Sequence, residues 1–476
     1  MLMKQIRKKT YLQLGLLTMM AGAVMLSSCA TDSYDEETFV STVKNQQLSS
    51  PLADSILVQG SSDGSQTTIT WPAVMGARGY DVKVYDITSE TPVVLVDSII
   101  DGCSVTTKRA EDCNYRLSIR TLANTSNGNK DAETTTEKFF NSFSPTFRVV
   151  PDGSDLYQYF QENPLPEDPS GEELCFDLAP GGNYTVSKTV DFGGKRVTLR
   201  STSKTNYANI TMQQGSTFTT FAAFGMKYIN IEASDLNHSI LTMSEEPNDS
   251  IKNLIGTNNY YFVMEPIVFQ NCNIQNLGTS LISTNSTKYN LRTLTINNCF
   301  IELGGNAVNS SAFVYIKAGY VTDFTFKNST LSSPTKSEKF FIQHGGRPKD
   351  VGDTELRYTT ITNSTIANIA WNKNFCDYHN GQVIYYYTLL NSIIVNCGKI
   401  NFVTGLNKGQ SSNNPKWNIN NNTYWRDGAD VSASQTGVPS IGEFLTEDPG
   451  IDPENHSFKP SAAQIAAGQG DPRWYE

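Results

Sequence analysis

Four aromatic residues late in the chain, Trp371, Tyr378, Trp417 and Trp425, carry the side chains best suited to holding a ligand. A flat ring covers the apolar face of a pyranose, and nearby Asn, Gln, Ser and Thr can bond its hydroxyls. Glycan binding is therefore predicted at these four. A second chemistry is open to Lys317 and Arg347, one of which could take the proton alpha to a uronate carboxyl in a metal-free elimination. Calcium would enter only if the protein were a lyase of the calcium-dependent kind. The carboxylates in strand regions, Glu302, Asp323 and Asp377, are scattered rather than convergent, and a hard cation needs several together. No Asp-Asp pair stands ready for acid–base hydrolysis. Gln343-His344-Gly345-Gly346-Arg347 reads as a solvent-exposed glycine turn, and no Cys/His cluster suggests zinc. No cofactor is predicted.

What would position these residues is a phrase that the chain repeats. Apolar–x–apolar–x–Asn, a small residue, a spacer and then Ile or Leu recurs at Asn271, Asn298, Asn328, Asn363 and Asn391. Cys272, Cys299, Ser329, Ser364 and Ser392 supply the small residue. Asn421 heads a weaker copy, and Ile229–Leu236 reads as an earlier one with Ala233 in place of Asn. Alternation marks a strand with one buried face. Asn tolerates left-handed backbone, so the phrase is strand, corner, strand. At a period near 30 residues this predicts stacked coils with the asparagines in one file. A propeller would need hairpin turns in every repeat, and these are not evident. The reading is a right-handed parallel β-helix. It resembles the pectin-lyase-like fold of pectate lyases and polygalacturonases, which implies a polysaccharide ligand and leaves a β-helix polysaccharide lyase as an alternative. Insertions at Asn237–Tyr261, Ser332–Leu356 and Asn368–Val383 are expected to gather on one binding face.

The amino terminus has a basic head (Lys4, Arg7, Lys8, Lys9) and an apolar run from Leu12 to Leu26, too short to span a bilayer comfortably. Leu26-Ser27-Ser28-Cys29 resembles the lipobox of bacterial lipoproteins. The resemblance implies a signal peptide over 1–28 and a lipid anchor on Cys29. Residues 29–50 form a tether whose Asp32, Asp35, Glu36 and Glu37 resemble the surface-export signal of Bacteroidetes lipoproteins. Without the leader, 33 of the 37 basic residues remain against 47 acidic ones, a net charge of −14. That balance argues against nucleic acid as a partner.

Residues 51–145 read as short strands separated by turns, an antiparallel sandwich. Thr68-Ile69-Thr70-Trp71, Gly79-Tyr80-Asp81-Val82 and Tyr115-Arg116-Leu117 resemble a fibronectin type III domain, with Trp71 in the core and Tyr115 as the corner tyrosine. Cys103 and Cys113 could bridge two of its strands, whereas Cys272 and Cys299 read as small buried residues one coil apart. Residues 146–429 are assigned to the β-helix. Its start is covered by a helix beginning at Asp152 or Ser154, with Leu174–Leu178 as first strand.

Residues 430–476 are predicted to cap the carboxyl end. The tail, from Asp448-Pro449 to Trp474, resembles that of β-helix lipoproteins of unknown function from Bacteroidetes polysaccharide-utilisation clusters. With the lipobox and the sandwich, the resemblance implies an all-β lipoprotein exposed on the outer membrane. Such a protein would bind polysaccharide without catalysis as the partner of an outer-membrane glycan importer. A structural or adhesive surface protein is the third reading.

Overall fold

The computed structural model describes residues 43–60, 66–88, 91–110, 112–167, 172–253, 259–304, 312–346, 357–378, 385–399, 406, 416–427, 443–444 and 449–476. Cys29 and the leader lie outside them. The chain divides into two compact units, Met1–Phe143 and Ser144–Glu476.

Among the described residues of the first unit, seven antiparallel strands form two sheets. Leu57–Gly60, Gln66–Thr70 and Ser104–Lys108 make one; Val93–Ile100, Ala77–Asp86, Asn114–Ala123 and Thr136–Asn141 make the other. Alternate residues point inward, so Ile69, Val82, Val84, Leu117 and Ile119 fill the core beside Trp71. The Trp71 ring meets Tyr80 edge-on at 5.4 Å. Tyr115 folds back on its own chain, its hydroxyl accepting from Ala110 N (2.9 Å) and donating to Ala110 O (3.2 Å). Cys103 and Cys113 are free thiols, not a bridge.

The second unit is a parallel β-helix of three strand files. The strand Ile267–Leu277 runs round one corner, pairing along its length with Phe224–Glu232 before it and with Tyr289–Asn297 and Phe300–Leu303 after it. The third file is a seven-stranded sheet from Thr189–Asp191 to Cys376–Tyr378. Phe, Ile and Leu from all three files fill a continuous interior. At the amino-terminal end, Phe160 of the helix Leu156–Glu162 packs on Phe176 and Phe192 at 4.9 and 5.2 Å. The helix is capped by Asp155 rather than Asp152 or Ser154. The stack also begins earlier than expected, because Thr146–Val150 pairs in parallel with Leu174–Leu178.

The corner has a simple cause. Asn271, Asn298, Asn328, Asn363, Asn391 and Asn421 all have φ between 48° and 53°, the left-handed region that asparagine enters most readily after glycine. The next residue points inward, and Ser329, Ser364 and Ser392 are fully buried. Ser364 Oγ accepts from Ser329 N (3.3 Å) and donates to Thr362 O (2.8 Å), and Ser329 and Ser392 repeat the pattern. A small hydroxyl thus fastens each coil to its neighbour. Cys272 and Cys299 take the same place as free, buried thiols.

One expectation at the corners needs correction, and one feature is new. The earlier copy does not turn at Ala233: Ile229 pairs with Cys272, which puts Tyr228 (φ 58°) at the corner. A second left-handed corner lies five residues after the first, at Asn276, Asn368 and Asn396.

The tail departs most from expectation. The helix Ala462–Ala466, with its Ser461/Gln464 capping box, leads into a segment that lies along the flank of the coils rather than over their end. Gln469 Oε1 accepts from Thr423 Oγ1 (2.5 Å), and Gly470 N donates to Asn391 O (2.9 Å). Asp471 N donates to Thr365 Oγ1 (3.1 Å), Trp474 Nε1 to Thr330 Oγ1 (2.8 Å) and Arg473 to Asn298 Oδ1 (3.1 Å). Residue by residue, this strap runs back across successive coils. Behind it, Ile451 and Phe458 cover Ala367, Ile393 and Val395.

Candidate functional site

The strap ends in the wall of an open groove. Register places Asn183, Asn209, Asn230, Asn273, Phe300, Thr330, Thr365, Ile393 and Thr423 in one outward file. The strap covers Thr423 back to Thr330, and its Trp474 ring meets Phe300 edge-on at 5.7 Å. Before Phe300 the file lies open and consists of amides. Asn273 Nδ2 donates to Asn230 Oδ1 (2.9 Å), Asn230 Nδ2 to Asn209 Oδ1 (2.9 Å) and Asn209 Nδ2 to Asn183 Oδ1 (3.3 Å). All donate in one direction, so the ladder is polarised. Its last carbonyl, on Asn273, accepts from no further amide of the ladder, and the next position in the file is Phe300.

Two residues further along each strand, Thr211, Glu232 and Gln275 form a second outward file, because side chains two apart share a face. The floor is thus two side chains wide, in a groove of about 570 Å³ ending at Phe300, Arg473 and Trp474. Its charges are engaged. Glu232 accepts from Asn276 Nδ2 at 3.1 Å, and Arg473 pairs with Asp471 at 3.0 Å. Burial pushes the Asp471 carboxyl above its ordinary range, against the pull of Arg473. Amides to bond hydroxyls, rings to cover an apolar face and a carboxylate, Glu232, bonded only by neutral donors suit a neutral sugar better than an acidic one.

A second groove, of about 540 Å³, crosses the outer face of the seven-stranded sheet. Thr219, Thr242, Ser283 and Tyr315 are in register along its floor, with His238, Glu245 and Lys317 also lining it. Lys317 is exposed there; Arg347 lies outside the described residues.

The four predicted binding aromatics do not form one site. Tyr378 is fully buried, stacked on Tyr385 at 4.5 Å and bonded to Thr359 at 2.7 Å, so no sugar can reach it. Trp417 stacks on the buried Tyr387 at 5.0 Å and packs against the core. Trp371 has the Arg426 guanidinium 3.7 Å and Lys336 Nζ 4.3 Å from its ring centre, so cations occupy the ring surface a pyranose would use. Trp425 is half-buried against Ile393, Val395 and Phe458, beside a cleft shared with Lys336 and Asp427. His344 is not on an exposed turn: it is buried, its Nε2 accepts from Val321 N (3.3 Å), and desolvation holds its pKa down at about 3. Among the described residues no group of three or more His, Cys, Asp or Glu is placed to share a metal ion.

Sequence reasoning passed over Trp474 and Phe300, which lie far apart in the chain. The only local signal was the recurrence of outward Asn at positions 209, 230 and 273, the last two standing two residues after the corners at Tyr228 and Asn271.

Residues 5–179 match the family model of a domain of unknown function (DUF4992), and residues 182–334 match a second (DUF4957). The two stand in tandem. Neither description names an activity. No curated protein matches the chain. Among solved structures, a pectate lyase from Erwinia chrysanthemi in complex with tetragalacturonic acid aligns at 10% identity over 84% of this chain and 89% of that one, with a TM-score of 0.13. The β-helix itself rests on the strand registers above.

Proposed function

We propose that this protein binds polysaccharide through the groove between Asn183 and Trp474. The observation that carries the reading is the polarised amide ladder ending on a wall of two aromatic rings, open on the outer face of a rigid sheet. Rigid strands preset the binding groups, so little ordering entropy opposes the ligand. In this reading the leader is removed, Cys29 is lipidated, and the protein stands on the outer membrane beside a glycan importer. The first unit serves as a fibronectin type III-like spacer. The test is a panel of immobilised polysaccharides probed with wild type and with Thr211→Trp, which fills the groove from an exposed floor position. Retention by wild type that is lost in the variant supports the reading; retention unchanged by the variant removes the groove from it.

One observation favours a second reading. Lys317, Tyr315 and His238 line a single groove, and amine, phenol and imidazole are groups that can move a proton in a metal-free lyase. Incubation with uronate glycans, followed by absorbance for unsaturated ends, decides it. Product that vanishes with Lys317→Ala would establish lyase activity.

A further inference from the structure

Resting on that reading, we infer that the groove receives the end of a linear, neutral glycan chain lying along the stack of coils. The floor runs along the helix axis, because its amides come one from each coil. From Asn183 to Asn273 there are three interstrand steps, roughly 14 Å at the ordinary strand spacing. Each step, about 4.8 Å, is close to the rise of one sugar in an extended pyranose ribbon, so a chain laid along the file meets one amide per sugar. Laid along the strands' own direction it would meet two files and then leave the floor.

The file is also closed at one end. Beyond Asn273 the same register positions are occupied: Phe300 under Trp474, then Thr330, Thr365 and Thr423 bonded to the strap. The obstruction is held firmly. Asp471 is fully buried, accepts from Thr330 Oγ1 (2.8 Å) and pairs with Arg473, and Trp474 is bonded to the same threonine. A chain following the ladder must therefore terminate at the rings. There a terminal sugar finds two things together: an apolar wall to pack on, and the Asn273 carbonyl, the unshared end of the ladder, to accept a hydroxyl. A mid-chain sugar in that position would have to continue through Trp474. Arg473 is paired with Asp471 and Glu232 keeps its negative charge, so no cation is left to match a uronate carboxylate and the chain is neutral.

The experiment uses the full chain and titrates it with cellohexaose, mannohexaose, xylohexaose and maltohexaose, with their parent polysaccharides, and with hexaoligogalacturonate. Each hexamer is used free and with a bulky group blocking the reducing or the non-reducing end. The expected result is binding of a neutral hexamer that scales with the number of chain ends rather than the mass of glycan. Blocking one particular end should weaken it at least tenfold, and Thr211→Trp should abolish it. Affinity that follows total sugar and ignores end-blocking would overturn the inference while leaving glycan binding in place. Preference for the galacturonate would overturn it too. Failure to bind any glycan in the wider panel would remove the underlying reading as well. Trp474→Ala serves as a second variant: it should relax the end requirement, so that polymer and hexamer bind alike per sugar.

Discussion

Asn328→Gly and Asn328→Ala should separate on stability, because the side chain and the backbone of this corner contribute differently. Asn328 sits at φ 48°, and its amide makes only a long bond of 3.4 Å to Asn297 Oδ1. Glycine accepts that backbone freely, so Asn328→Gly loses little more than a weak hydrogen bond, about 0.5 kcal/mol. Alanine must hold Cβ against the following carbonyl, at about 1–2 kcal/mol. The next residue behaves differently. Ser329→Ala keeps the backbone but strands Cys299 N–H, whose partner is Ser329 Oγ at 3.0 Å in a fully buried site, at about 1–3 kcal/mol. Urea denaturation followed by far-UV circular dichroism would give the three midpoints. The expected order is wild type close to Asn328→Gly, with Asn328→Ala and Ser329→Ala clearly lower. A glycine variant as damaged as the alanine variant would refute the backbone argument and return the corner to a side-chain ladder.

Three further outcomes follow from the same geometry. Asp471→Ala should loosen the strap by about 2 kcal/mol through lost charged hydrogen bonds, and limited trypsin digestion should then cut at Arg473 sooner than in wild type. His344, held neutral with a pKa near 3 against 6.5 when unfolded, makes no demand at neutral pH. As pH falls below about 6.5 the unfolded chain binds the proton first, so unfolding free energy should drop by roughly 1.4 kcal/mol per unit toward pH 3, and His344→Gln should flatten that slope. Trp371→Ala should leave glycan retention unchanged, whereas Phe300→Ala should weaken it by about 1 kcal/mol in equilibrium titration.

The corners were legible because a left-handed backbone selects residue type locally: wherever the chain turned at Asn, the letter itself announced it. Tyr228 was illegible for the converse reason, since nothing about tyrosine marks φ 58°. The second corner was there to be read as Asn five residues on from Asn271, Asn363 and Asn391. The strap was not, because Asp471 meets Thr330 across 141 residues and Arg473 meets Asn298 across 175, with no periodicity to link them. Aromatic character misled for a related reason. Tyr378 and Trp417 belong to an internal column and Trp371 to a cation pair, and a ring's neighbours, not its identity, decide whether a sugar can reach it.

The central claim, that ligand occupies the amide floor beside Trp474, is tested most directly by calorimetric titration of wild type and Thr211→Trp with the glycan that wild type retains. Thr211 is exposed and outside the core, so the added ring obstructs the floor without disturbing the coils. The account predicts binding by wild type, loss of at least tenfold in affinity for Thr211→Trp, and unchanged affinity for Trp425→Ala. Equal affinity of wild type and Thr211→Trp, with loss in Trp425→Ala, would contradict it and move the ligand to the cleft beside Asp427.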